Sequence, residues 1–297
     1  MRINKSVQTM DAKDLILDSL DERSATYVKK AKRCRDDFSS DAVHDLRTSI
    51  RRLLAILEVV AFMTSGSKIE KLSDRLEDQL DGFSDLRDMH VMLDQLEKDV
   101  TTLPELEPFQ NYLEKREKRR QRQDQKHVQN IKPGGIEKRL LKIRRDVEAL
   151  AEVDVRRELP QAVDQAYLTV IQRYGEVDPV QLVTIHELRV AFKNFRYMVE
   201  AIHPCLPNFP ETLLKRMQEY QTEMGNVHDI QVFLETLAEF AEKSESYNVV
   251  PVRRIYERNL AEVVSDFLKH KHEVLTFWRA TPLEAFPWEA GQTKKEE

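Results

Sequence analysis

The amino-acid sequence predicts an all-α protein built from two similar helical-bundle halves. Three observations lead there. Apolar residues recur every three to four positions along almost the whole chain, and no run alternates apolar with polar residues as a half-buried strand would. Only seven glycines occur in 297 residues, of which 41% are hydrophobic and 33% charged, a composition suited to long helices packed as bundles. One helical segment is also written twice: VHDLRTSIRRLL at 43–54 returns as IHELRVAFKNFRY at 185–197.

The repeat extends beyond that segment. His44 and His186, Arg47 and Arg189, and Arg51 and Lys193 are each 142 residues apart. LRDMHVML at 86–93 lines up with VHDIQVFL at 227–234 at an offset of 141, and YLEKRE at 112–117 loosely matches RIYERN at 254–259. Three segments in one order, at nearly one offset, argue for an internal duplication of a unit of about 140 residues. KPGG at 132–135 lies between the copies and reads as their linker. The expected organisation is a tail at 1–10, a domain at 11–280 with halves of about 11–131 and about 136–280, and a tail at 281–297. GQTKKEE, which ends that tail, is expected to be disordered.

Periodicity predicts a first helix at 11–36 and a second, the first signature helix, at 41–64, with Ser39, Ser40 and Asp41 available as caps. A third at 67–99 carries an irregularity at Gly82 to Ser84, where a glycine weakens a helix by about 1 kcal/mol. The fourth spans 105–130. The fifth, 135–174, is expected to break near Pro160. The sixth, 179–203, is the second signature helix, opened by Asp178 as N-cap with Pro179 as its first residue and closed by Pro204 and Pro207. The seventh, 209–243, has its irregularity at Gly225, and the eighth covers 249–280.

Helical geometry sets the chemistry of the repeat. At about 100° per residue, His44, Arg47 and Arg51 fall within an arc of about 60°, beside the apolar Val43, Leu46, Ile50, Leu53 and Leu57. His186, Arg189, Lys193 and Arg196 form a similar arc beside Ile185, Leu188, Phe192 and Phe195. No acid stands at helical ion-pair spacing from Arg47, Arg51, Arg189 or Lys193. Two cations about 7 Å apart repel by about 2 kcal/mol at an effective dielectric of about 20. One basic side chain is ordinarily a solvated face. A basic set recurring in register, with histidine at the same end, points to an anion.

Composition narrows the partner. The net charge is −5, which disfavours a general nucleic-acid binder with a basic exterior and requires a local concentration of cations instead. Cys34 and Cys205 have no metal-binding spacing, and two thiols in such a chain suit a reduced, cytoplasmic protein. The most apolar stretch, 53–63, is too short to span a bilayer and contains Glu58, so no membrane role is expected. The N-terminus lacks the apolar core of a signal peptide.

An apolar-His-x-Leu-Arg segment with a base at +7, followed by a glycine-containing turn and an Arg-Asp or His-Asp pair, resembles the CHAD family, the conserved histidine alpha-helical domain. The likeness covers roughly residues 10–280. It implies two similar helical bundles around a basic central channel that binds inorganic polyphosphate, with no catalytic activity established for the domain. It assigns the channel lining to His44, Arg47, Arg51 and Arg52 and to His186, Arg189, Lys193 and Arg196, with Tyr197 as the Arg-Tyr ending. Asn194, Ser84 and His90 depart from the family pattern. Protein partners at polyphosphate granules fit the same expectation.

Arg116, Arg119 and Arg120, with Gln123, make a further basic stripe able to face that channel, and Arg258 is what its counterpart retains. Arg87-Asp88 and His228-Asp229 follow the two irregularities; Asp88 and Asp229 are expected to orient cations of the signature helices. Arginine suits phosphate through forked hydrogen bonds, lysine through a compact charge, and histidine through a charge that changes near neutral pH. Two alternatives remain: a helical adaptor whose basic groove takes an acidic partner protein, and a metal-dependent phosphohydrolase using His44-Asp45 or His228-Asp229. Adjacent helical residues point about 100° apart, so such a dipeptide needs further ligands to hold one ion. No HExxH, P-loop or GxGxxG motif occurs, and no alternating ExExK strand. No catalytic residue, metal or cofactor is expected.

Overall fold

The computed structural model describes residues 11–64, 67–244 and 247–289, apart from the side chain of His127. Among them the chain forms ten α-helices and no strand. The expected tail at 1–10 and the GQTKKEE segment lie outside the described residues. No helix among the described residues is long and apolar enough to cross a membrane.

Helix α1 (Ala12–Asp36) begins without a cap from Asp11. The Glu152 carboxylate does that work instead, accepting from the Ala12 and Lys13 amides at 2.9 Å each, which satisfies donors that every helix start leaves free. Helix α2 (Ser40–Met63) follows, and the Ser39 hydroxyl accepts from the Ala42 amide at 3.3 Å as the sequence led us to expect.

The expected helix at 67–99 is two helices, α3 (Ser67–Asp81) and α4 (Ser84–Asp99). Gly82 permits the break and Phe83, fully buried, draws the chain inward. Carbonyls at the break would otherwise lack partners. Arg47 donates to the Leu80 carbonyl, and Arg120 donates to the Gly82 carbonyl at 3.2 Å.

Helix α5 (Glu107–Gln129) is succeeded by α6 (Pro133–Glu148), so KPGG is a helix start with proline in the first turn, not a free linker. The next break comes at 149–151, and α7 (Glu152–Glu176) runs through Pro160 unbroken. Buried Val155, Leu159, Val163 and Val170 hold that helix on both sides of the missing amide. Helix α8 (Leu182–Ile202) starts three residues later than expected, because Asp178 turns back to accept from the Val180 amide at 2.9 Å and from the Gln181 side chain at 3.0 Å. Pro179 therefore sits in a turn before the helix. Helix α9 (Glu211–Lys243) is continuous through Gly225, where an added Cβ would meet only Arg189 Nε at 3.8 Å. Helix α10 (Val250–His270) gives way to a 3-10 turn at Lys271–Thr276.

Residues 281–289, read from sequence as the start of a tail, return to the body of the protein. Phe286 stacks on Trp288 with ring centres 4.5 Å apart and meets the buried Trp278, while Trp288 donates to the Pro207 carbonyl at 3.1 Å. Apolar burial explains why they stay. One hydrophobic core runs through the molecule. Helices α6 and α7 pack on α1, and α3 and α2 respectively take further contacts from them, so the core crosses the boundary expected between the halves. At its centre α2 packs directly on α8, with α7 and α9 also against α8 and α4 against α9. Leu46, Ile50, Leu53, Leu188, Phe192 and Phe195 are fully buried there, and truncating any one of these to alanine costs about 2–5 kcal/mol.

Candidate functional site

Burying those apolar stripes fixes the neighbouring arcs of α2 and α8, and the two arcs converge. Arg47 and Arg51 from α2 meet Arg189 and Lys193 from α8, with Arg87 and Asp88 from α4 and His228 and Asp229 from α9 completing the group. Four pairs of positions aligned by the sequence repeat thus come to one place: Arg47 with Arg189, Arg51 with Lys193, Arg87 with His228 and Asp88 with Asp229. Among the described residues five strong bases meet Asp88 and Asp229, with Asp81 also acting on Arg47. Among the described residues Arg51, Arg87, Arg189 and Lys193 make no ion pair or side-chain hydrogen bond, and the Nε atoms of Arg47 and Arg189 are buried without partners.

The electrostatic strain is visible in the acid–base equilibria. Burial, then Arg51, Arg189, Arg47 and Arg196, bring Lys193 down to about 6. Arg47 is lowered to about 10 by burial and then by Arg51. Burial likewise lowers Arg51 and Arg189, although Tyr197 and Asp229 respectively oppose it. Burial holds Asp88 above the usual carboxylate range despite Arg47. Asp229 is water-accessible but largely enclosed by protein, and that enclosure raises it too, against Arg189. Loss of hydration outweighs the available counter-charge throughout.

The histidines border the cluster. His44 is exposed at the start of α2, lowered by partial burial and then by Arg87. His186 is lowered by burial, Arg189 and Lys193. His228 falls to about 4 through burial, Arg189 and His186. His186 and His228 lie Nδ1 to Nδ1 at 3.1 Å, with ring centres 4.6 Å apart. The sequence singled out His228 only for the metal alternative and not as an anion ligand. Its alignment with Arg87 in the repeat was the signal that could have done so.

Other expected lining residues are turned to acids. Arg52 pairs with Glu200 at 2.9 Å. Arg196, 8% exposed, donates to Gln221 at 2.8 Å, lies 3.5 Å from Glu200 and covers the Tyr197 ring at 4.3 Å. Tyr197 is itself buried beside Arg51 and Arg189. Arg116 pairs with Glu239 at 2.9 Å, and Arg120 with Asp85 at 2.8 Å and Asp124 at 2.9 Å. Arg116, Arg119, Arg120 and Gln123 do share one concavity of about 270 Å³ against Asp85 and Met89 of α4. Arg258 stands exposed on α10, 4.0 Å from Glu262, and is not among the groups whose charge acts on the cluster.

Asp45, of the first His-Asp dipeptide, is held by Lys30 at 2.6 Å and Arg33 at 2.8 Å. Among the described residues no group of three or more His, Cys, Asp or Glu is arranged to hold a metal ion.

Fold and site together define an all-helical protein whose two signature helices present their basic arcs to one cluster. The CHAD domain family model matches residues 19–238, and the chain belongs to the CHAD domain family. Its fold is similar to that in the crystal structure of the CHAD domain from the plant Ricinus communis, with a TM-score of 0.68 at 15% identity over 90% of this chain and 92% of that one. No curated protein matches the chain.

Proposed function

We propose that the cationic cluster binds inorganic polyphosphate, or a closely similar linear polyanion, without turning it over. The supporting observation is the convergence of Arg47, Arg51, Arg87, Arg189 and Lys193, with Asp88 and Asp229 among them and Asp81 beside Arg47. Like charges held together at a cost are relieved by an anion, and a phosphate chain supplies about one charge per internal unit while releasing condensed counterions. Several separated cations suit such a chain better than one deep pocket. The cluster then forms the wall of the basic channel typical of the family, with the Arg116, Arg119 and Arg120 concavity as an outlying contact. Membership of the family agrees with this ligand, and a cytoplasmic protein able to associate with polyphosphate granules is the matching setting.

The test is a binding titration of long-chain polyphosphate against duplex DNA, single-stranded RNA and ATP. Selective binding of polyphosphate supports the proposal. Equal affinity for all four, or none for polyphosphate, overturns it; preference for an acidic protein instead would favour the adaptor role.

A further inference from the structure

We infer that His228 belongs to the anion site and that the His186–His228 pair gains a proton when a phosphate chain occupies the cluster. This rests on the proposed polyphosphate binding and adds a regulatory property to the same site.

The geometry is the starting point. A hydrogen bond between two imidazole nitrogens needs one N–H donor and one free lone pair, so the Nδ1–Nδ1 contact at 3.1 Å requires at least one neutral ring. Were both rings charged, both nitrogens would donate and the contact would open. Groups facing the pair are Arg189, Lys193 and Glu187 from α8 and Asp88 from α4, with Asp229 next to His228 in sequence. Burial is the largest cause of the lowering of both histidines; Arg189 and Lys193 add to it, and Asp88 and Glu187 oppose it at His186. The free protein therefore keeps the pair neutral and its rings joined.

A phosphate chain reverses the sign of that field. Its oxygens accept hydrogen bonds, and a charged imidazole donates from both nitrogens. Proton gain, separation of the rings and new donors toward phosphate are thus one event. By linkage, affinity increases up to tenfold per pH unit for each proton taken up, as pH falls between the free and bound values.

The experiment measures proton uptake on binding, by calorimetry in buffers of different ionisation enthalpy near pH 6, for wild type, His228→Gln and Lys193→Met. NMR titration of the histidine rings of the wild type, with and without saturating polyphosphate, accompanies it. Expected are a net uptake in wild type that falls by about one proton in His228→Gln, uptake persisting in Lys193→Met, and upward movement of the His186 or His228 titration on binding. Should polyphosphate bind while both ring titrations stay unmoved, or while uptake is identical in wild type and a folded His228→Gln, the inference fails and the binding proposal survives. Absence of binding in wild type overturns both. The ring titrations need no variant, so a misfolded His228→Gln does not obscure the result.

Discussion

Arg51 on α2 is the strongest electrostatic neighbour of Lys193 on α8, and among the described residues neither side chain has a carboxylate paired with it. The two occupy equivalent places in the repeated segment and lie on helices that pack against each other. Hydrophobic burial of Ile50, Leu53, Phe192 and Phe195 forces this approach of like charges. An approach so unfavourable in isolation is what a bound anion would relieve.

Reversing both, Arg51→Glu with Lys193→Glu, should reduce polyphosphate affinity by at least 100-fold while far-ultraviolet circular dichroism still reports the native helix content. A folded double variant with an unchanged dissociation constant would refute binding at this cluster.

Binding should weaken linearly on a plot of log affinity against log salt. With four or five phosphates engaged by the cluster, a slope of about −3 follows from a release of about 0.7 counterion per contact in a single strand. A slope near zero between low and physiological salt would remove these cations as the determinants.

The free protein should become more stable as pH rises from about 6 to about 10. Lys193 is brought down to about 6 in the fold from an ordinary 10.5, so across that window the unfolded chain binds its proton more tightly and stability increases with pH. Below about 6 the lysine is charged in both states and the penalty is complete. Lys193→Met should flatten the dependence and stabilise the free protein near neutral pH by about 1–3 kcal/mol, seen as a higher Tm. The same pH slope in wild type and variant would show that Lys193 is not the strained group.

His44 and His186 should contribute to the pH dependence of binding. Both are lowered in the free protein, by burial and then by Arg87 for one and Arg189 for the other, and bound phosphate should raise them. Affinity should therefore increase as pH falls from about 8 to about 5.5, around the histidine reference value, and then flatten. His44→Gln with His186→Gln should shrink that gain; identical profiles would make both histidines structural.

Arg189→Glu should cost far more affinity than Arg258→Glu, for which a change of less than twofold is expected, since Arg258 is exposed beside Glu262 and is not among the charges acting on Arg51 or Lys193. Arg196→Ala should instead lower stability, by about 1–3 kcal/mol, because it strips a buried partner from Gln221 and Glu200. Parallel binding and thermal-melt measurements on the three variants check both halves of the expectation.

The fold class was legible because periodicity is a local property: the apolar stripes of α2 and α8 can be read from spacing alone and are the stripes that become buried. The family was legible because its motif recurs in order. Helix ends were less so. The chain breaks at Gly82 and Phe83, where Arg47 and Arg120 supply donors from other helices, and passes through Pro160, where packing on both sides outweighs one lost amide. Partners far along the chain decided those ends.

Which cations stay unpaired was likewise a tertiary matter. In sequence Arg52 is indistinguishable from Arg51, yet Arg52 faces Glu200 of another helix while Arg51 faces Arg189 and Lys193. His228 enters the site only because α9 brings it within 3.1 Å of His186. The sequence by itself determined that the chain is helical and that two of its helices carry matching basic arcs. Only the tertiary structure decided that Arg52 meets Glu200 while Arg51 meets Lys193, since pairing between helices depends on distances that no spacing along one helix contains.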